Sequence, residues 1–228
     1  MDTLLKILLI THVSAGFTSL GLFFVPAFAK KGSKLHNNFG RWYTYGMWAV
    51  IITALLLCVI RYFQGEQVIA LFLGFLALLT SRPLYFGIAV LRNKEGPSAR
   101  MNRINTVLST ALLLLSPLLL FTGLGWVGDG GHPLLIVFGA LGCAITIPDF
   151  IAKLRGREKT YYWLHEHISG MGVSAIAAFT AFFAFGGSRI FGNLFTGSLE
   201  IAAWIAPTVI GVAFIRYYKY RMKRPETV

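Results

Sequence analysis

Seven long apolar stretches constrain this chain more than any other feature, because a helix rising about 1.5 Å per residue crosses about 30 Å of hydrocarbon in such a length. A soluble domain is normally about 45–50% apolar, whereas this chain is 56% hydrophobic. The sequence therefore predicts an all-α integral membrane protein, a seven-transmembrane-helix bundle that forms one polytopic domain over residues 1–228. The predicted spans are residues 4–29, 39–63, 68–91, 104–126, 133–152, 161–185 and 199–217.

The distribution of Lys and Arg predicts the orientation of these spans. Positive charge accumulates in cytoplasmic loops, and every second loop here is basic, while the opposite loops carry only Lys6, Arg61 and Arg189. We expect the N-terminus outside and the C-terminus in the cytoplasm, in the plasma (inner) membrane, with anionic lipid at the basic loops and tail. The basic segments carry Lys30, Lys31, Lys34 and Arg41; Arg92, Lys94, Arg100 and Arg103; Lys153, Arg155, Arg157 and Lys159; and Arg216, Lys219, Arg221, Lys223 and Arg224.

The net charge of +12 does not indicate nucleic-acid binding, since the basic residues lie between apolar spans and form no patch on a soluble module. The two cysteines, Cys58 and Cys143, both lie inside apolar stretches. Their spacing supports neither a disulfide framework nor a paired-cysteine metal site, so we interpret them as small buried apolar residues.

A charged side chain within a predicted span is the first candidate for function. Arg82 lies inside the third span and is followed by Pro83, which weakens the helix and frees a carbonyl. A charge near the centre of a span costs about 2.5–3.5 kcal/mol on insertion scales. We expect Arg82 to face the bundle interior, with Asp149 of the fifth span as its partner in charge, either in a structural ion pair or in a ligand site. The alternative for Asp149 is a pairing with Lys153, one turn further along the same helix.

Histidines at the start of the sixth span are the second candidate. His165 and His167 are two residues apart, about 200° around a helix, so they cannot both point into one site. His36 lies just ahead of the second span, on the same predicted cytoplasmic side. A metal site assembled from His36, one of His165 and His167, and Asp149 is stereochemically reasonable, and it would lie in the cytoplasmic half of the bundle.

The segments around these histidines resemble a known family. His12 in the first span, Lys31-Gly32 and His36-x-x-x-Gly40-Arg41-x-Tyr43, and His167-x-x-x-Met171 are similar to a family of predicted bacterial multi-span membrane proteins catalogued as a domain of unknown function. The similarity covers most of the chain, and the segment from His36 to Tyr43 is its most specific part. The resemblance implies a membrane location and marks His12, His36, Gly40, Arg41 and His167 for testing, but it implies no reaction.

A haem b in membrane electron transfer is one function these residues support. Haem iron takes axial histidines on facing helices, with small residues beside them so that the helices can part. His12 and His167 could ligate iron, and the small residues would be Gly16, Gly170 and Gly172. Arg82 and Arg41 could pair with the propionates. A divalent metal at the site described above is the alternative cofactor.

Three other functions stay open at this point. The first is a transporter for a small ion or molecule, because an intramembrane arginine beside a proline fits a transport site. The second is a metal-dependent enzyme, with Glu166 as general base. The third is a structural or assembly subunit without a cofactor, whose buried histidines hydrogen-bond to carbonyls and serines. A redox or assembly partner is compatible with these functions. The sequence carries no phosphate-binding loop, nucleophile elbow or kinase catalytic loop, which excludes the enzymes built on them.

Overall fold

The computed structural model describes residues 2–128, 131–156, 161–186, 192 and 198–222, and within these ranges the chain is helical with no strand. The prediction of an all-α protein is confirmed. Arg157, Lys159, Arg189, Lys223 and Arg224, which enter the orientation argument, lie outside the described residues. The helices are α1 (Asp2–Phe28), α2 (Lys34–Phe63), α3 (Gln67–Ala89), α4 (Ala99–Gly123), α5 (Pro133–Leu154), α6 (Trp163–Ala181) and α7 (Ser198–Arg221).

Five helices are long and apolar enough to cross a membrane, on length and composition within the described part of the chain. Their outward surfaces carry large apolar side chains, including Leu114, Ile10 and Val107, which are more than 60% exposed. Such a surface suits hydrocarbon and would be costly in water. The five candidate spans are Thr3–Phe28, Lys34–Phe63, Gln67–Arg92, Ala99–Gly123 and Pro133–Leu154.

Two helices begin earlier than predicted because a serine caps each one. The backbone N–H of His36 donates to Ser33 Oγ over 3.2 Å, so α2 begins at Lys34, five residues before the predicted span. Ser98 Oγ accepts from the N–H of Met101, and α4 begins at Ala99. As a result His36 lies in the first turn of α2 and not in the loop before it.

The contacts divide the chain into two compact units, and α1, α2 and α3 each contribute a part to both. Unit 1 comprises Met1–Leu9, Ile51–Arg82 and Pro97–Tyr161. Within it, α4 and α5 approach closely, because a Cβ at Gly139 would lie 2.5 Å from the backbone nitrogen of Leu120. Phe72 and Phe138 meet edge to face with centroids 5.4 Å apart.

Unit 2 comprises Ile10–Val50, Pro83–Gly96 and Tyr162–Val228. Its core is aromatic: Phe23 of α1 lies 5.5 Å from the ring of Tyr43 and 6.2 Å from that of Phe179. Helix α6 packs against α7 through small residues, since a Cβ at Gly172 would lie 2.5 Å from Cγ1 of Ile215.

Candidate functional site

The end of α1 presents carbonyl oxygens that the helix itself cannot pair. Lys31 Nζ donates to the carbonyl of Pro26 over 3.0 Å and to that of Ala27 over 2.6 Å. The chain then turns at Gly32, whose φ of 77° lies in the left-handed region. Tyr218 donates its hydroxyl to Ala27 over 3.3 Å, and the Lys31 ammonium lies 4.7 Å from the Tyr218 ring centroid. Burial lowers the pKa of Lys31.

His36 binds the same helix end. Its Nδ1 lies 2.9 Å from the carbonyl oxygen of Pro26, the oxygen that also accepts from Lys31. A carbonyl can only accept, so Nδ1 of His36 carries a proton and donates it to this hydrogen bond. In the neutral ring, Nε2 then keeps its lone pair.

His167 makes the same interaction with the end of α3. Its Nδ1 lies 2.7 Å from the carbonyl oxygen of Gly87, in the last turn of that helix. The contact is short because α3 and α6 touch backbone to backbone: a Cβ at Gly170 would lie 2.5 Å from Cα of Gly87 and 2.5 Å from the Pro83 carbonyl oxygen. By the argument used for His36, Nδ1 of His167 donates and Nε2 keeps its lone pair.

The structure brings these two rings together. The centroids of His36 and His167 are 6.4 Å apart, with their planes inclined at 67°. Within the described part of the chain, neither Nε2 has a hydrogen-bond partner. A histidine that ligates a metal usually donates its other ring N–H to a carboxylate, a backbone carbonyl or water, which fixes the tautomer. Both rings meet that condition.

His165 points elsewhere, as the angle of about 200° between the two positions requires. Its Nε2 donates to the carbonyl of Met222 over 2.8 Å, just past the end of α7, and its ring lies 4.7 Å from that of Tyr162. His167 is therefore the member of the pair that meets His36. Among the described residues, no group of three or more His, Cys, Asp and Glu side chains is arranged to hold a metal ion, and the site with His165 and Asp149 as ligands stays a prediction.

A second contact joins α2 and α6 one layer beyond the histidines. The Tyr43 hydroxyl lies 2.8 Å from Ser174 Oγ, and Ser174 Oγ donates to the carbonyl of Met171, so Tyr43 is the donor of the pair. Tyr43 and Ser174 are 1% and 0% exposed. The sequence reasoning did not predict this pair. The spacing in the sequence could have indicated it. Tyr43 lies seven residues after His36 on α2, and Ser174 lies seven residues after His167 on α6, so each shares a helix face with its histidine.

Arg82 lies in unit 1 and is paired twice. Its Nε donates to Asn105 Oδ1 over 3.0 Å, and its Nη2 donates to Asp149 Oδ2 over 3.1 Å. The Arg82 side chain is 20% exposed and that of Asp149 is 41% exposed. The prediction that Asp149 is the charge partner of Arg82 is confirmed. Asn105 was missed, although an amide within an apolar helix was a usable signal.

The remaining predicted residues make other contacts. His12, within α1, hydrogen-bonds to the backbone of Val50. Arg41 is exposed, and its carbonyl accepts from the Thr44 hydroxyl over 2.7 Å. Gly170 and Gly172, which were expected to leave space for a porphyrin, are instead where α6 contacts α3 and α7.

No protein-family model, no curated protein and no solved structure matches this chain. The geometry described above must therefore carry the functional argument alone.

Proposed function

We propose that the protein is a seven-span integral membrane protein of the bacterial inner membrane that binds a metal ion between His36 and His167. The observation that carries the proposal is the shared arrangement of the two rings. Each donates Nδ1–H to a helix-end carbonyl, at 2.9 Å and 2.7 Å, and neither Nε2 has a partner in the described structure, so that in the neutral ring this nitrogen presents a lone pair. We propose that these two nitrogens, on rings with centroids 6.4 Å apart, are the ligands of the ion.

An ion is favoured over haem b by the packing around His167. A porphyrin needs helices that part beside the axial ligand, but a Cβ at Gly170 would already lie 2.5 Å from Cα of Gly87. An ion needs no such gap. A role in membrane electron transfer would follow only if the bound metal has two accessible oxidation states. We also propose that the chain belongs to the family of bacterial multi-span membrane proteins that its His36–Tyr43 segment resembles.

The seven-span topology rests on α6 and α7 joining the five candidate spans. Helix α7 has 24 residues and α6 has 19, with a π-helical turn from Phe182 to Gly186 after it. Basic residues at every second loop favour an external N-terminus and a cytoplasmic C-terminus. A reporter fused after Val228 should be active in the cytoplasm, and activity of a periplasmic reporter at that position would contradict this topology.

Metal content is the direct test of the metal site. Detergent-purified protein should carry about one metal ion per chain by elemental analysis, and the ion should be lost in His36→Ala and in His167→Ala. The matched control is His165→Ala, which also removes a histidine bound to a helix-end carbonyl. It should keep the metal. Absence of stoichiometric metal after incubation with first-row transition metals would refute the proposal, and an intense Soret absorption band would favour haem b instead.

A structural subunit without a cofactor is the second candidate, and the same hydrogen bonds favour it. His36, His167 and His165 each satisfy a carbonyl at the end of a helix, as a capping residue does. In that case the three alanine variants should lower the thermal stability by similar amounts, and none should change metal content.

A further inference from the structure

One end of unit 2 consists of helix ends that are joined by hydrogen bonds. His36 joins the start of α2 to the end of α1, and His167 joins the start of α6 to the end of α3. His165 joins the start of α6 to the residue after α7, and Tyr218 of α7 donates its hydroxyl to the carbonyl of Ala27 near the end of α1. We call this surface the basic end of unit 2.

The positive charge of unit 2 is concentrated at this end. Every described Lys and Arg of the unit lies within about two turns of these helix ends or in the segments that follow α1 and α3. The acidic residues at the same end are Glu95 and Glu166. The excess of positive charge favours an anionic partner. The cations are Lys30, Lys31, Lys34, Arg41, Arg92, Lys94, Arg216, Lys219 and Arg221.

Aromatic rings hold three of these cations in place. The charged groups lie 4.7 Å, 4.9 Å and 5.8 Å from the ring centroids in the pairs Lys31–Tyr218, Lys94–Trp163 and Arg221–Tyr217. Lys94 and Arg221 are exposed. Lys94 has no hydrogen-bond partner among the described residues, and Arg221 donates one N–H to the Tyr217 hydroxyl over 3.4 Å. Both cations therefore have N–H groups left to donate to an anion.

Exposed apolar side chains lie beside these cations. Phe28, the last residue of α1, is 71% exposed, and its ring lies 6.2 Å from that of Phe214. The Phe214 ring lies 4.6 Å from that of Tyr218, over which the Lys31 ammonium lies. A free phosphate or an acidic soluble protein needs the cations alone. A phospholipid presents a phosphate next to an acyl chain, and aromatic residues with Lys and Arg are typical of the headgroup level of a bilayer.

From this charge and these contacts we infer that the basic end of unit 2 binds the phosphodiester headgroup of an anionic phospholipid. Lys94 and Arg221 donate to the phosphate, and Trp163 and Tyr217 orient them. In the predicted topology this end faces the cytoplasm, where anionic lipid attracts basic segments close to the membrane. The inference goes beyond the proposed metal function and does not depend on a bound metal.

Native mass spectrometry of the detergent-purified protein tests the inference, because it resolves single bound lipids. The wild-type protein should bind phosphatidylglycerol at least about fivefold more tightly than phosphatidylcholine, since one Lys or Arg near an anionic surface contributes about that factor. Lys94→Gln and Arg221→Gln should each lower the affinity for phosphatidylglycerol about fivefold and leave that for phosphatidylcholine unchanged. Metal content should stay at the wild-type level in both, which separates this test from that of the metal site.

Two variants serve as controls. Lys94→Arg keeps the charge and should keep the preference for phosphatidylglycerol. Arg61→Gln removes a cation that Glu66 already pairs over 2.7 Å, and it should also keep the preference. Equal binding of the two lipids by the wild-type protein would overturn the inference, whatever the variants do. Displacement of phosphatidylglycerol by excess glycerol phosphate would overturn it in favour of a site for free phosphate.

Discussion

Two polar clusters lie among the apolar helices: the Arg82 cluster (Arg82, Asn105 and Asp149) and the histidine pair (His36 and His167). They differ in how their polar groups are satisfied. In unit 1, the guanidinium of Arg82 donates hydrogen bonds to Asn105 over 3.0 Å and to Asp149 over 3.1 Å. The carboxylate of Asp149 compensates its positive charge. In unit 2, His36 and His167 each donate one ring N–H to a helix-end carbonyl, and the other ring nitrogen has no partner among the described residues. A charge in an apolar setting must be compensated, whereas a neutral imidazole can be oriented by one hydrogen bond and still offer a lone pair.

This comparison assigns different roles to the clusters. The Arg82 cluster joins α3, α4 and α5, and we expect its role to be structural. The histidine pair lies where the N-terminal turns of α2 and α6 meet the ends of α1 and α3, and it retains the capacity to bind a ligand. The experiments below test that distinction, from the largest expected effect to the smallest.

Gly170→Leu should have the largest effect on stability, because it disrupts the contact between α3 and α6 that positions His167. A side chain there would meet the backbone of Gly87 and the Pro83 carbonyl at 2.5 Å, and neither can move without shifting α3. We expect the free energy of unfolding in detergent to fall by at least about 3 kcal/mol, with loss of metal binding.

The matched control is Gly21→Leu on α1, where an added Cβ would meet nothing within 4 Å. That variant should change the free energy of unfolding by no more than about 0.5 kcal/mol. Equal effects of the two substitutions would show that the α3–α6 contact does not hold the histidine site.

A double-mutant cycle on Arg82 and Asp149 tests whether the charged cluster is structural. Arg82→Ala, Asp149→Ala and the double variant should give a coupling free energy of about 1–2 kcal/mol, reduced from the range for fully buried pairs because Asp149 is 41% exposed. Metal content should not change in any of the three. Loss of metal in Asp149→Ala would join the two clusters in function and break the distinction drawn above.

The ion pair between Arg61 and Glu66 is the natural reference for that cycle. Its atoms lie 2.7 Å apart, closer than those of Arg82 and Asp149, but Arg61 lies in the last turn of α2 and Glu66 lies just before α3. The two pairs are about equally exposed, at 28% and 38% here and at 20% and 41% for Arg82 and Asp149. We expect a coupling free energy below about 1 kcal/mol, because this pair lies at the ends of two helices and not within an apolar span. A larger coupling here than at Arg82 would mean that the distance, and not the apolar setting, decides the strength.

Tyr43→Phe and Ser174→Ala should have the smallest effect. Hydrogen bonds between helices in a membrane contribute about 0.6 kcal/mol on average and about 1.7 kcal/mol at most, so the cycle of these two variants should give a coupling in that range. Denaturant unfolding in detergent measures it. Because the pair lies one layer away from the histidines, metal affinity should change by less than tenfold, and a larger loss would make Tyr43 a positioning residue of the metal site.

The sequence predicted the helices well because their apolar stretches are long, and it predicted the partner of Arg82 because few intramembrane groups can compensate its charge. It could not identify the acceptors of His36 and His167. Every residue has a carbonyl, so nothing in the sequence marks those of Pro26 and Gly87, and only the close approach of the helices selects them. From the sequence alone, the glycines beside His167 are compatible with space for a cofactor, but small residues also allow close contact between helices.

The central claim is that both paired histidines carry their proton on Nδ1 and present Nε2 to a metal. Nitrogen-15 NMR of histidine-labelled protein in detergent tests it directly, with His36→Gln and His167→Gln to assign the signals. We predict protonated Nδ1 and unprotonated Nε2 in both rings of the metal-free protein, and a change that is larger at the two Nε2 signals than at Nδ1 when a first-row transition metal ion is added. Protonation at Nε2 in either ring, or Nε2 signals unaffected by any metal, would contradict the account.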